Sequence, residues 1–337
     1  MIRETKSLDV GTMNLISASL SPHQKILLRK LRHAFLKVNI EPSMMAALKK
    51  EGLQYAEIDG SFYALADSAF KMAYTMGKNS NRPMQDGILN AGEDKAEVVF
   101  RILIEALLKK ASGISPTCYF SVPAEPFEGE HRVVYHAGII QEILKDLGYA
   151  SKAVNEGLAV VYSSLADTQF TGIGISCGCG LLNVCISQRA KPVDSFSINR
   201  AGDWIDGNAA KVLAMTASKV MVAKEKGVHL RNPDGRVEKA IAIYYKDLIA
   251  YTIQCLKARV EARNIAAVMA KPVDIVFAGG TAMPAGFVPV FKSALAQSRF
   301  PLKIREVFLA DDPLYAVARG CLIGALADRG HDEDPVE

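Results

Sequence analysis

Apolar and polar residues follow two different periods along this chain, and each period predicts a type of element. Two β-prone runs at 6–10 and 15–20 flank Gly11, which predicts a β-hairpin with a glycine in its turn. A third extended run is predicted at 26–38. At 93–111 the apolar residues recur every three or four positions, as in an amphipathic helix. They are Val98, Val99, Ile102, Leu103 and Leu107.

The same order of elements is predicted twice. A second cycle begins near Phe170, with strands at 171–179 and 181–187 around a Gly-Cys-Gly turn. Each half therefore opens with a hairpin whose turn carries glycine and continues as strand, helix and strand. Such a repeat predicts two similar α/β lobes with a ligand cleft between them. We place the first lobe at 1–168 and the second at 169–337.

Composition narrows the class of protein. The chain has 337 residues, of which 50% are apolar and 23% charged, and its net charge is only +4. Because the Lys and Arg residues are scattered, a dedicated nucleic-acid binder is not expected. The six cysteines form no CxxC pair, which suits a reducing cytoplasm. No secretory signal or membrane-spanning run is predicted, which leaves tethering through a partner open.

The first glycine turn is a candidate phosphate site. Glycine lets backbone N–H groups approach phosphate oxygens, so Gly11 would cradle a phosphate while Thr12 and Asn14 add donors. Asp9, at the strand end, would hold Mg²⁺ through water, because Mg²⁺ prefers few carboxylates and keeps its waters. A plain hairpin turn explains the motif equally well, since short glycine motifs are weak signals.

Two further turns follow the first in order. Gly178 and Gly180 have the spacing of a second phosphate hairpin, although few of its polar groups are present. Gly279 and Gly280, followed by Thr281, end a predicted strand and would allow close approach of a nucleotide sugar or phosphate. The alternative for this third turn is a tight connection from strand to helix.

In this order the segments resemble the actin and heat-shock-chaperone ATPase superfamily, and within it the bacterial actin-like proteins of the MreB and MamK type. The resemblance spans nearly the whole chain. The matching segments are 8–14, the Arg-Pro-Met-Gln-Asp-Gly run at 82–87, 121–124 with 155–159, 175–184 with 201–206, and 277–281 with 312–320. Five ordered matches are more specific than any single one.

The resemblance implies an α/β fold of two duplicated ribonuclease-H-like lobes, the actin-like ATPase fold, with a nucleotide cleft between them. It implies a small inserted subdomain at about 33–86 and a shortened one at about 208–235. The cofactors would be ATP or ADP with Mg²⁺ near Asp9. Glu130, in the loop after Pro123, would orient the attacking water beside Asp9. Glu125 and Glu128 of the same loop are alternatives for this role, and an acidic, solvated loop without that role is the other reading. The other implied nucleotide contacts are Gly11, Thr12, Asn14, Gly178, Gly180, Gly202, Asp203, Gly279, Gly280 and Thr281.

The second phosphate motif departs from the family pattern, which reads like DxGxGTTD. Ser176 stands in place of the leading acid, Leu181 and Leu182 replace the two hydroxyl residues, and Asn183 replaces the final acid. Hydrogen bonds to charged groups are worth about 1.5–3 kcal/mol each. The resemblance therefore favours nucleotide binding more than hydrolysis and leaves open whether the chain is an ATPase.

We interpret the chain as a cytoplasmic actin-like protein that binds ATP and Mg²⁺, hydrolyses ATP slowly or poorly, and polymerises head to tail with itself. An adaptor at a membrane or organelle is a further expected partner. The alternative is a non-polymerising, chaperone-like switch or a nucleotide-binding pseudo-enzyme scaffold. A sugar or acetate kinase of the same superfamily is a third reading, which needs a larger inserted subdomain than this chain has room for.

Overall fold

The computed structural model describes residues 3–39, 50, 52–129, 133–269 and 271–333. The described strands are β1 Arg3–Val10, β2 Asn14–Leu20, β3 Ile26–Arg32, β4 Phe35–Val38, β5 Tyr55–Ile58, β6 Ser61–Leu65, β7 Met84–Gln85, β8 Ile88–Leu89, β9 Ile114–Val122, β10 Ala150–Asn155, β11 Gly172–Cys177, β12 Leu182–Gln188, β13 Lys191–Ile198, β14 Val273–Ala278 and β15 Ile304–Leu309.

The described helices are α1 Ala66–Thr75, α2 Ala96–Leu108, α3 Val133–Asp146, α4 Glu156–Ser164, α5 Gly202–Leu213, α6 Ala217–Lys226, α7 Gly235–Ala262, α8 Ile265–Val268, α9 Phe287–Gln297 and α10 Ala316–Glu333. Within this described part of the chain, no helix combines the length and the apolar character needed to cross a membrane.

The two large sheets have the same topology. The first has the strand order β10-β9-β1-β2-β3, and the second has the order β15-β14-β11-β12-β13. In each sheet the first three strands in this order pair in parallel. The fourth strand then pairs antiparallel with both the third and the fifth. The hairpins β1–β2 and β11–β12 therefore occupy equivalent positions. This confirms the duplicated α/β lobes expected from the sequence.

One helix that follows each large sheet in the chain packs on the sheet of the other lobe. Helix α4 leaves the first sheet at β10 but packs on β11 and β12 of the second, whereas α10 packs on β1, β2 and β9 of the first. The two helices cross at Gly320, where an added Cβ would overlap the carbonyl oxygen of Ala159. Around them, Val160, Val276 and Val317 belong to an apolar cluster between the two lobe cores. The proposed division between residues 168 and 169 stays a prediction.

The predicted extended run at 26–38 divides into two strands of different sheets. Strand β3 closes the first large sheet, whereas β4 joins β5 and β6 in a small three-stranded sheet beside α1. The chain turns at His33, which is fully buried; its N–H donates to the Met13 carbonyl at 2.8 Å. A buried aromatic ring at this point ends one strand and starts the next.

The second lobe carries a helical counterpart to this small sheet. Residues 208–235, all of which are described, contain no strand and run from the end of α5 through α6. Ala214 ends α5 with a left-handed backbone, φ 55°, and the Thr216 hydroxyl caps α6 by accepting from the Lys219 N–H at 3.4 Å. This part of the second lobe therefore contains two short helices, α5 and α6.

Candidate functional site

The first glycine turn is a tight hairpin that joins β1 to β2. The Gly11 N–H donates to the Asn14 carbonyl at 3.1 Å, and a Cβ on Gly11 would lie 2.8 Å from that oxygen. The Thr12 hydroxyl accepts from the Gly87 N–H at 3.2 Å. His33 supports the turn from behind, since its Nδ1 lies 3.0 Å from the Gly11 carbonyl oxygen.

The second glycine turn has the same geometry. The Gly178 N–H donates to the Leu181 carbonyl at 3.0 Å, and a Cβ on Gly178 would lie 2.9 Å from that oxygen. A Cβ on Gly180 would lie 2.5 Å from the Thr12 hydroxyl oxygen, so the two turns are in contact. The backbone of this turn therefore has the hairpin shape, although its side chains differ from the family pattern.

The third glycine turn follows β14 and braces the second one. Gly279 has φ 89°, and a Cβ there would overlap the Cys177 carbonyl oxygen, so only glycine fits without strain. The Thr281 hydroxyl donates to the Gly178 carbonyl at 2.8 Å. Three turns from separate parts of the chain therefore meet at one place.

A single cavity lies against all three turns. Its volume is about 690 Å³, within the roughly 300–1,000 Å³ typical of ligand pockets. The predicted site residues that line it are Asp9, Gly11, Thr12, Asn14, Gly178, Gly180, Gly279, Gly280 and Thr281. The structure thus brings together the predicted residues of the three turns.

A pair of carboxylates lies at the bottom of the cavity. Asp9 is partly exposed to the cavity, and its Oδ1 accepts from the Ser121 hydroxyl at 3.0 Å. Glu156, at the start of α4, is buried beside it. Desolvation by the surrounding protein raises the pKa of both carboxyls, and the charge of Asp9 raises the pKa of Glu156 further. Two such carboxyls lining one cavity are suited to a cation.

The altered side chains of the second turn have new partners. The Ser176 hydroxyl donates to Glu156 Oε2 at 3.0 Å, and Asn183 Oδ1 accepts from the Ala124 N–H at 3.0 Å. Leu182 is buried in the core of the second lobe. Leu181 packs against the backbone of Gly87, whose added Cβ would lie 2.7 Å from the Leu181 Cγ. This turn therefore provides backbone groups rather than side-chain hydroxyls.

Gly202 and Asp203 lie behind the second turn, outside the described lining of the cavity. Their N–H groups donate to the carbonyls of Gly178 at 3.2 Å and Cys179 at 2.8 Å. These bonds from the N-terminus of α5 hold the turn's carbonyl oxygens on the side away from the cavity. The two residues thus support the turn.

Asp203 also ties the lobes together. Arg82 of the first lobe meets its carboxylate with two nitrogens, Nη1 to Oδ1 at 3.1 Å and Nη2 to Oδ2 at 2.8 Å. Such a paired contact is among the stronger protein ion pairs. The Cys179 thiol donates to the same carboxylate at 2.9 Å.

Changing Arg82 to glutamine is expected to lower the free energy of unfolding by about 2 kcal/mol, because charge-assisted hydrogen bonds are lost and Asp203 keeps its charge. Urea denaturation measures this loss. The Arg82→Lys variant keeps the positive charge but lacks the paired donors of the guanidinium. Its free energy of unfolding should therefore lie between those of the wild type and Arg82→Gln. Equal stability of all three proteins would contradict the role of this ion pair.

Helix α6 forms one side of the cavity. Met221, Lys224 and Glu225 line it, whereas Ser218 bonds to Asn79 of the first lobe. The Lys224 ammonium is held by Asp206 at 2.8 Å. This wall therefore offers a methionine, a lysine and a glutamate to the cavity.

Glu130, the predicted water-orienting residue, lies outside the described residues. Three contributors to the site were not predicted: Glu156, His33 and the Arg82 ion pair. The sequence indicated Glu156 only through its place in the matching segment 155–159, directly after β10. The described residues contain no group of three His, Cys, Asp or Glu side chains able to hold a metal alone.

Known structures share this architecture. A MamK double helical filament subunit is 19% identical and gives a TM-score of 0.72, with 99% of this chain and 100% of that chain covered. MreB5 of Spiroplasma citri bound to AMPPNP is 15% identical with a TM-score of 0.68, and 99% of each chain is covered. The ethanolamine utilization protein EutJ from Carboxydothermus hydrogenoformans is 15% identical, with a TM-score of 0.57 over 96% of this chain and 90% of that chain.

The fold is therefore actin-like. No curated protein matches the chain in sequence at a significant level. The sequence model of one family, volactin, matches residues 5–325, which include the three glycine turns and all the elements that position them. The chain belongs to the volactin family.

Proposed function

We propose that this protein binds ATP with Mg²⁺ in the cleft and assembles head to tail into filaments as a cytoplasmic cytoskeletal protein. The observation that carries the proposal is the meeting of three glycine turns and the carboxyls of Asp9 and Glu156 around one cavity. Backbone N–H groups at glycine turns suit phosphate oxygens. Its solved structural neighbours include proteins bound to AMPPNP and ADP, which supports a nucleotide as the ligand.

The residues present fit both parts of the proposed cofactor. Mg²⁺ is usually held by one or two carboxylates together with substrate phosphates, and the Asp9 and Glu156 pair offers that number. A bound divalent cation would neutralise charge on the phosphates and relieve the repulsion between the two carboxyls. The turns at Gly11 and Gly178 would hold the phosphates, and Gly279 and Gly280 would allow the nucleoside to approach the backbone.

Slow or impaired hydrolysis is part of the proposal. Ser176 provides a neutral hydroxyl where the family pattern has an acid, and it donates to Glu156. Leu181 and Leu182 supply no donor to a terminal phosphate. The same observations favour a second candidate function, a nucleotide-binding switch or scaffold that does not polymerise. Phosphate release above background, lost on changing Asp9, would argue against the non-hydrolysing form.

Titration calorimetry with ATP, with and without Mg²⁺, tests the binding step. We expect micromolar or tighter binding that weakens by about tenfold or more when the metal is chelated. Pelleting and negative-stain microscopy with ATP and Mg²⁺ then test assembly. Monomers that bind ATP but never pellet would favour the switch over the filament.

Two exposed apolar patches on different lobes support assembly. The first-lobe patch consists of Val134 and Tyr135 on α3, which are 85% and 47% exposed. On the second lobe, Val212 and Ile243 are 56% and 64% exposed and line a groove between α5 and α7. An open head-to-tail contact needs two different complementary surfaces. Exposed apolar surface of this kind commonly marks an interface with a protein.

The charges around the patches are complementary. Arg236 and Lys239 line the groove on the second lobe. Glu142 is exposed on α3, the helix of the first-lobe patch, and Glu97 is exposed on α2, with its carboxylate 3.5 Å from the Tyr135 hydroxyl. We propose that the groove receives the first-lobe patch of a second copy. An adaptor that links the filament to a membrane or organelle stays a prediction.

Changing Ile243 to aspartate is expected to abolish most of the pelleted protein while leaving ATP affinity within about twofold, because a charge would be buried in the contact. The matched control is Ala250→Asp, which adds the same charge at an exposed position two turns further along α7. Both variants should unfold at the same temperature. Equal pelleting of the two variants would contradict this contact.

A further inference from the structure

A cationic side chain reaches the cavity from strand β3. Arg32 lies opposite Asn14 in the pairing of β2 with β3, so it stands beside the last residue of the first glycine turn. It lines the cavity, and its Nη1 lies 3.7 Å from the sulfur of Met13 in the same turn. Lys30, two residues earlier and on the same face of the strand, lines the cavity as well.

The Arg32 guanidinium is held in place but weakly paired. Its Cζ lies 4.2 Å from the centre of the Phe70 ring, which orients its plane. Its Nε is 3.3 Å from Asp67, and its Nη2 is 3.4 Å from Glu225 on α6 of the opposite lobe. These carboxylates are 63% and 45% exposed, whereas Arg32 is only 15% exposed. Ion pairs with such exposed partners are readily exchanged.

The second glycine turn lacks what a terminal phosphate needs. Its two leucines offer no hydroxyl, so a triphosphate would depend there on backbone groups alone. A guanidinium presents a planar fork of donors that matches phosphate oxygens. Arg32 lines the cavity and contacts Met13 of the first turn, so its fork would be available to a phosphate bound at that turn.

We propose that Arg32 is the contact that recognises the terminal phosphate of a nucleoside triphosphate in this chain, and that binding draws it away from Glu225. The proposal rests on nucleotide binding in the cleft and adds to it a basis for preferring ATP over ADP. It also couples that preference to the opposite lobe, because Glu225 belongs to α6. Lys30 adds positive charge on the same side.

Calorimetry with Mg-ATP and Mg-ADP on the full chain tests the proposal. The wild type should bind ATP more tightly than ADP. Arg32→Gln should weaken ATP binding by about tenfold to a hundredfold and ADP binding by less than about twofold. The ATP affinity of Arg32→Lys should lie between those of the wild type and Arg32→Gln. Glu225→Gln should increase the ATP preference severalfold, because Arg32 is released from its competing partner.

Arg29→Gln is the control on the same strand. Arg29 faces the other side and donates to the Leu107 carbonyl at 2.6 Å, so its loss should leave the preference unchanged. If Arg32→Gln weakens ATP and ADP equally, or if Glu225→Gln lowers the ATP preference as Arg32→Gln does, Arg32 is only a tie between the lobes and the inference fails while nucleotide binding stands. A wild type that binds neither nucleotide overturns both.

Discussion

Changing Asp9 to asparagine is expected to weaken Mg-ATP binding by about a hundredfold and, at the same time, to stabilise the metal-free protein at neutral pH. Asparagine has nearly the same shape and can still accept from the Ser121 hydroxyl. The change therefore removes a charge without opening a cavity. A merely structural residue would not be expected to produce opposite effects on binding and on stability.

The gain in stability follows from the carboxyl pair. Desolvation raises the pKa of Asp9 and Glu156, and the charge of Asp9 contributes to the rise at Glu156. Removing one charge should increase the free energy of unfolding at pH 8 by about 1 kcal/mol or more, the equivalent of one pKa unit. Urea denaturation without Mg²⁺ measures it, and a less stable Asp9→Asn protein would contradict the account.

The pH dependence of the wild type has the same origin. A carboxyl with a raised pKa binds more protons in the folded protein than in the unfolded chain. Its contribution is therefore fully present below the ordinary carboxyl range near pH 4 and is lost as pH rises through the raised pKa values. The metal-free wild type should lose stability over this interval more steeply than Asp9→Asn, and Mg-ATP should offset the loss.

Changing Gly320 to alanine is expected to lower the free energy of unfolding by about 3 kcal/mol, at the upper end of overpacking costs. The added Cβ would overlap the Ala159 carbonyl oxygen where α10 crosses α4, and that backbone cannot move without shifting α4 against the second sheet. The two crossing helices connect the lobes, so the loss should also loosen the cleft. Thermal and urea unfolding measure the effect.

The matched control for this variant lies one turn further along α10. A Cβ on Gly324 would lie 3.4 Å from the Tyr162 ring, which is an ordinary contact. Gly324→Ala should therefore be neutral or should stabilise the helix by up to about 1 kcal/mol. If the two alanine variants are equally stable, the crossing of α4 and α10 is not as close as described.

The duplicated hairpins could be predicted from sequence because local signals specify them. Alternating apolar residues and a glycine at the turn are sufficient for β1–β2 and for β11–β12, and the order of the three glycine turns pointed to one cleft. The departures from the family pattern at Leu181 and Leu182 are visible in the sequence itself. What the sequence could not give was the partner that each changed residue would find.

The unpredicted parts of the site depend on contacts distant in sequence. Arg82 and Asp203 are 121 residues apart, and no local pattern links them. Glu156 joins Asp9 only because α4 crosses from the first sheet to the second. His33 supports the first turn because a strand that was predicted as continuous ends there. These features follow from tertiary packing.

Hydrogen–deuterium exchange of the wild type with and without Mg-ATP tests the central claim most directly. Binding in the cleft should protect the backbone N–H groups of the three glycine turns, 9–14, 176–183 and 278–282, together and at the same ligand concentration. Asp9→Asn should lose this joint protection at that concentration. Protection of none of the turns, or of a surface away from them, would contradict nucleotide binding between the two lobes.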